Sequence, residues 1–206
     1  MATQPTMQEQ RSEQKKQHIY EVAMGLFQEY GYEKTTIREI CQAAGVTNSS
    51  FYNFFGDKNG ILLRLLYQVL EESIACLEPT EEHLQNPYQA ICDFFVESTL
   101  ALGQFNKEVA RETIQSTGKL LSGSYQTLSS HSAFDQITDL LTSAKEKGYI
   151  PADTDCRQVA EYLFVSANGV QLYWLTYSGR STYKSIAKRL LPTAFSAVTD
   201  LPVVVK

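Results

Sequence analysis

Residues Thr35–Phe55 read TTIREICQAAGVTNSSFYNFF. Ile37, Ile40, Cys41 and Ala44 recur at helical spacing and give this stretch one apolar face. Thr36 followed three residues on by Glu39 is a capping box, each side chain bonding the other's backbone N–H. Gly45 ends the helix, Val46 plugs the space beyond it, and Thr47 offers the N-cap of a second helix, Asn48 to Phe54. Gly56 breaks that helix after about two turns. Two short helices joined by a tight glycine turn make a helix-turn-helix, whose second helix fits the DNA major groove. Such a helix needs an apolar side to hold it and an outer side of short polar groups. Thr47, Asn48, Ser49, Ser50 and Asn53 supply the polar side, and Phe51 and Phe54 are the expected anchors.

The pattern continues outward in both directions. Ile19, Val22, Ala23, Leu26, Phe27 and Tyr30 form the stripe of a first helix capped by Gly31, preceded by about 16 polar residues expected to fray. Asp57 caps a fourth helix carrying Ile61, Leu62, Leu65, Leu66 and Val69. The polar segment Glu78–Pro87 is the best candidate boundary in the chain. Beyond it, Asn86-Pro87 opens a helix with Ile91, Phe94, Phe95, Ser98 and Leu102 on one face, and another is expected near Lys107–Gln115. Phe134 to Ala144 form a helix ending at Gly148. Asp153 or Asp155 caps a long helix to about Tyr177, and a last helix begins near Thr182, with a kink or break expected at Pro192. No segment alternates like a strand. The fold class is all-α: residues 1–60 a helix-turn-helix domain, ordered from about 17, and residues 61–206 a larger helical domain.

The 206 residues carry a formal charge of −5, which argues against non-specific coating of nucleic acid. Residues 1–60 hold six cations (Arg11, Lys15, Lys16, Lys34, Arg38, Lys58) against seven acids, so DNA affinity there must come from placed contacts. No apolar run approaches a membrane span and the N-terminus lacks a signal-peptide core, so the expectation is a soluble, cytoplasmic protein. Cys41, Cys76, Cys92 and Cys156 form no C-x-x-C pair and share no ligand spacing with His18, His83 or His131. They read as reduced, mostly buried thiols, and neither metal nor cofactor is expected. There is no G-x-S-x-G, Walker loop or H-E-x-x-H, so the chain does not read as an enzyme.

The residues Leu26-Phe27, Gly31-Tyr32, TTIREI, AGV, SSFYNFF and DKNGIL, in this order and spacing over Ile19–Leu62, closely resemble the tetracycline-repressor (TetR-type) family. Beyond residue 80 the resemblance is of architecture only. It implies a homodimer that binds a pseudo-palindromic double-stranded DNA operator, with half-sites about 34–36 Å apart, and a C-terminal domain that binds a small effector and releases DNA. An activator of the same family, or a helical partner-binding module without DNA binding, are the alternatives.

Carried over by position, the resemblance implies that Arg38 reads base edges, Thr36 bonds phosphate besides capping, and Thr47, Asn48, Ser49 and Ser50 face the groove. Tyr52 and Lys58 then contact phosphate. Asn53 stands where many members have a larger aromatic or His, and Ser49 where Gly or Pro is frequent. For the effector the candidates are Phe94, Phe95, Ser98, Phe105, Tyr125, Asn168, Gln171 and Trp174, which favour an apolar or aromatic ligand. Aromatic stripes at this spacing equally describe plain core. The long helix and the last helix are expected to pair with their symmetry mates.

Overall fold

The computed structural model describes residues 6–121, 133–177 and 182–199. Among them are α1 (Met7–Tyr30), α2 (Ile37–Ala44), α3 (Asn48–Phe55), α4 (Asn59–Ser73) with a 3-10 turn at Ile74–Leu77, and α5 (Glu81–Gln85). Then come α6 (Pro87–Leu102), α7 (Lys107–Leu121), α8 (Ala133–Glu146), α9 (Cys156–Tyr177) and α10 (Tyr183–Thr199). No strand occurs among the described residues.

The chain divides into two compact units. One runs to Leu65 and includes Phe105–Lys119; the other takes Leu66–Gln104 and the remainder from Leu120. The division falls inside α4, not at Glu78–Pro87. Within that proline-bounded segment Thr80 caps a short helix by accepting from His83 N–H at 3.2 Å, and Leu84 is buried.

In the first unit, α1 packs on α2 and α2 on α3, around Ile19, Phe27, Ile40, Phe51, Ile61 and Leu62, each fully buried. Phe27 meets Tyr32 edge-on at 4.9 Å. Helix α7 joins this unit through its first turn. Asn106 caps it by accepting from Val109 N–H at 2.9 Å, and donates from Nδ2 to the Phe27 carbonyl at 3.0 Å. Glu108 accepts from Glu33 N–H at 3.1 Å.

The N-terminal residues from Met7 to Lys16, expected to fray, are helical. Thr6 and Glu9 form a second capping box: Glu9 N–H donates to Thr6 Oγ1 at 3.3 Å and Thr6 N–H to Glu9 Oε2 at 2.7 Å. The Gln, Glu, Lys and Arg residues of this segment are good helix formers, so an apolar stripe is not required.

In the second unit α6 is central and buried over most of its surface, with Gln89, Asp93 and Glu97, four residues apart, on its one polar stripe. Helices α8, α9 and α10 and the 3-10 turn contact it. Asp155 caps α9 by accepting from Gln158 N–H at 3.1 Å, and Thr182 caps α10. Helix α10 runs through Pro192 without a break. Leu191 and Phe195, both fully buried, hold the turns on either side and offset the missing hydrogen bond. Helix α9 is two-sided: Ala160, Leu163, Ala167 and Trp174 are buried, while Tyr162, Val165, Leu172, Tyr173 and Tyr177 are exposed.

Candidate nucleic-acid interface

The capping box at the start of α2 is complete. Glu39 N–H donates to Thr36 Oγ1 at 3.3 Å, and Thr36 N–H to Glu39 Oε2 at 2.8 Å. The backbone and hydroxyl donors of Thr36 hold the Glu39 carboxyl below the usual carboxylate range. Gly45 sits in the left-handed region (φ 64°, ψ 34°), and Val46 N–H reaches back to the Cys41 carbonyl at 3.0 Å, a Schellman closure. Thr47 then caps α3 by accepting from Ser50 N–H at 3.2 Å. The turn between the helices is thus fixed by backbone and cap bonds, which sets the angle at which α3 leaves α2.

Phe51 and Phe55, four residues apart, anchor α3 with ring centroids 5.4 Å apart. The expected second anchor, Phe54, is only partly covered. Both i+3 and i+4 share a helix face, and the packing of the unit selects i+4. The opposite side of α3 is open: Asn48, Ser49, Tyr52 and Asn53 are exposed, as are Thr47, Thr36 and Arg38. Tyr52 is half exposed, its ring edge-on to Phe51 at 6.0 Å. Short hydrogen-bonding side chains therefore cover the free face of α3, with Arg38 on the preceding helix.

Two residues assigned to this face have internal partners. Ser50 Oγ lies 3.1 Å from Thr47 Oγ1 and accepts from Lys15 Nζ at 3.1 Å. Lys58 Nζ donates to the carbonyls of Tyr32 at 2.8 Å and Thr35 at 3.2 Å, and stands 4.1 Å above the Tyr32 ring. The Tyr32 hydroxyl in turn donates to Asn59 Oδ1 at 2.9 Å. Lys58 therefore ties the α1–α2 connection to the start of α4. The contact of Lys15 with α3 was hidden in the sequence, because it spans 35 residues and arises in a segment without apolar pattern.

The effector candidates are only partly brought together. Phe94, Phe95 and Ser98 on α6 and Asn168, Gln171 and Trp174 on α9 lie in the second unit, whereas Phe105 belongs to the first. Tyr125 lies outside the described residues. Phe94 and Phe95 are buried in a run of edge-on ring contacts that continues to Phe164 at 5.7 Å and Phe134 at 6.0 Å. Ser98 and Asn168 spend their side-chain donors on their own helices, at Phe95 O (3.2 Å) and Phe164 O (2.7 Å). Gln171 instead crosses to α6 and donates to Thr99 Oγ1. Tyr183 packs edge-on to Trp174 at 5.6 Å. Its buried hydroxyl lies beside Thr99 but outside hydrogen-bonding geometry, and burial pushes its ionisation up. Thr99 and Tyr183, absent from the sequence candidates, complete a buried polar cluster that joins α6, α9 and α10.

An all-helical chain whose first unit presents a capped helix-turn-helix with a polar outer face has the architecture of a one-component regulator. Residues 19–65 match the family model of bacterial regulatory proteins, tetR family. Over those residues the chain carries the DNA-binding domain of the TetR family. It is 24% identical over 193 residues to the HTH-type transcriptional repressor KstR2 of Mycobacterium tuberculosis, covering 88% of this chain and 91% of the relative. Among solved structures it is similar to SmeT, the repressor of the Stenotrophomonas maltophilia multidrug efflux pump SmeDEF (TM-score 0.66, 22% identity, 93% of this chain and 95% of that one). It is also similar to Thermus thermophilus FadR, a TetR family repressor solved with lauroyl-CoA (TM-score 0.62, 21% identity, 88% and 93%). SmeT has also been solved as a triclosan complex (TM-score 0.62, 20% identity, 94% and 97%).

Proposed function

We propose that this protein is a DNA-binding transcriptional repressor that acts as a homodimer and is released from its operator by a small molecule. The observation that carries it is the outer face of α3, where Asn48, Ser49, Tyr52 and Asn53 are exposed while Phe51 and Phe55 fix the helix to the unit. Arg38 is the base reader in this proposal, since its fork suits guanine O6 and N7. Thr36, Thr47, Ser49 and Tyr52 bond phosphate or base edges, and Asn48 and Asn53 face the groove. Lys58 acts by holding the motif together.

The dimer proposal is supported by α9, where Tyr162, Val165, Leu172 and Tyr173 form an exposed apolar stripe around Gly169. A glycine there allows two helices to approach closely. The effector proposal is an apolar or aromatic ligand, bound among Phe95, Trp174 and the Thr99–Gln171–Tyr183 cluster. It is supported by the neutral aromatic lining, by the unpartnered Tyr183 hydroxyl and by the ligands of the two similar repressors, triclosan and, in its acyl chain, lauroyl-CoA.

The test is selection of duplexes from a random-sequence pool by the purified chain, followed by anisotropy titration. The proposal expects a pseudo-palindromic sequence bound at least ~10³ tighter than scrambled DNA. Failure to enrich any sequence would overturn it.

A further inference from the structure

The two sides of the N-terminal part of α1 differ in charge. On one side Arg64 of α4 donates to Glu13 at 2.9 Å and Gln17 at 2.7 Å, its guanidinium standing over the Tyr20 ring at 5.5 Å. Glu9, in the Thr6 capping box, lies on that same side. Both acids of the segment are thus occupied, and the helix is held at its first turn and again at Glu13 and Gln17. On the other side, Arg11, Lys15 and His18 fall within about 60° of one another at 100° per residue. All three are exposed, and Lys15 Nζ bonds Ser50 Oγ on α3 at 3.1 Å. An ammonium has three donors, so one bond to Ser50 leaves two for another acceptor. Arg11 sits about one turn, ~6 Å, further along the axis.

We propose that this cationic side of α1 is a second DNA-contacting element, in which Lys15 and Arg11 bind phosphates on the strand beside the groove entered by α3. The inference rests on the proposed function. It is carried by continuity with the recognition helix, which Lys15 touches, and by the segregation of the acids to the opposite side. The capping box and the Arg64 bridge order the helix before DNA arrives, so little conformational freedom is lost on binding. The element also reconciles a first domain of slightly acidic total with an anionic partner: the cations that matter lie together beside α3.

The experiment titrates a labelled duplex, enriched by the wild-type chain from a random pool, at several salt concentrations. The double variant Arg11→Gln, Lys15→Gln is expected to lower the slope of log affinity against log salt by about 1.8, two phosphate contacts' worth. Its affinity then falls about tenfold more at 50 mM than at 200 mM salt, equally for enriched and scrambled duplexes. Lys15→Arg retains the slope, and Lys16→Gln, on a different side, leaves it unchanged. An unaltered slope in the double variant, or an equal drop with Lys16→Gln, would overturn the proposal. A wild-type chain that enriches no duplex overturns the proposed function itself, and this inference with it.

Discussion

Lys58→Met separates two roles for one residue. The family resemblance places Lys58 on a phosphate, while the structure places its ammonium on the carbonyls of Tyr32 and Thr35, at 2.8 and 3.2 Å, over the Tyr32 ring. These carbonyls lie between α1 and α2, and Lys58 lies between α3 and α4, so the lysine closes the motif on itself. Hydrogen bonds to a charged group contribute ~1.5–3 kcal/mol when well buried. Lys58 is partly exposed, so the lower figure applies, shared over two bonds of unequal length. The ring contact adds about 0.5 kcal/mol. Methionine keeps an apolar stem of similar length, so the difference isolates the ammonium. The expected loss is about 2 kcal/mol.

The assay is urea unfolding followed by far-UV circular dichroism. The sole tryptophan, Trp174, lies in the second unit and does not report on the motif directly. Salt-dependent DNA titration runs alongside. A clamp predicts the stability loss, weaker binding to every sequence, and a salt slope altered by much less than one contact's ~0.9. A stability change within ~0.5 kcal/mol, together with a slope reduced by about 0.9, would refute the clamp and return Lys58 to the phosphate.

Other outcomes rest on the same geometry. Arg38→Ala should cost ~1–3 kcal/mol of binding and relax preference at one base pair; equal loss on every sequence in a competition titration would remove its reading role. Thr47→Ala should lower stability by about 1 kcal/mol in the same urea assay, because the Ser50 N–H loses its acceptor. Val165→Asp, placing a charge on the exposed stripe of α9, should shift light-scattering mass from two chains to one while leaving helix content intact. Burial pushes the Cys92 thiol up to about 12 and that of Cys41 upward as well, so neither should take up iodoacetamide in the native state at neutral pH. Rapid native labelling of Cys92 would show that α6 is not a closed core helix.

Local rules carried the helix-turn-helix well. Thr36-x-x-Glu39, Gly45 and Thr47 are caps whose partners lie within four residues, so the order of residues states the bonds directly. Thr6-x-x-Glu9 carries the same pattern, but the polar residues up to Gln17 give no apolar stripe to mark a helix after it. That segment is held by Arg64, 51 residues from Glu13, a pairing that no periodicity announces. Helix α7 is a similar case: the sequence predicts a helix near Lys107–Gln115, and the bonds from Asn106 to Phe27 and from Glu33 to Glu108 tie it to the first unit. In the second unit the aromatic faces were legible as faces. Whether each ring meets a ligand or another ring depends on contacts across α6, α8 and α9, and for Phe94, Phe95, Phe134 and Phe164 these are largely ring to ring.

Charge shows most clearly why composition alone misjudges the interface. Counted along the chain, residues 1–60 are one charge acidic. Counted by partner, Glu13 is paired with Arg64, whereas Glu9 and Glu39 bond the neutral donors of Thr6 and Thr36 and keep their charge. Lys58 is consumed by carbonyls. What stays outward near α3 is Arg38 on α2 and Lys15 with Arg11 on α1. A phosphate approaching this surface meets fields set by distances of a few ångströms, because charges more than about 10 Å away are screened at ordinary salt. What decides docking is therefore where these cations stand relative to α3, not the total charge. Reversing the charge of Lys15 alone should accordingly weaken DNA affinity in the anisotropy titration.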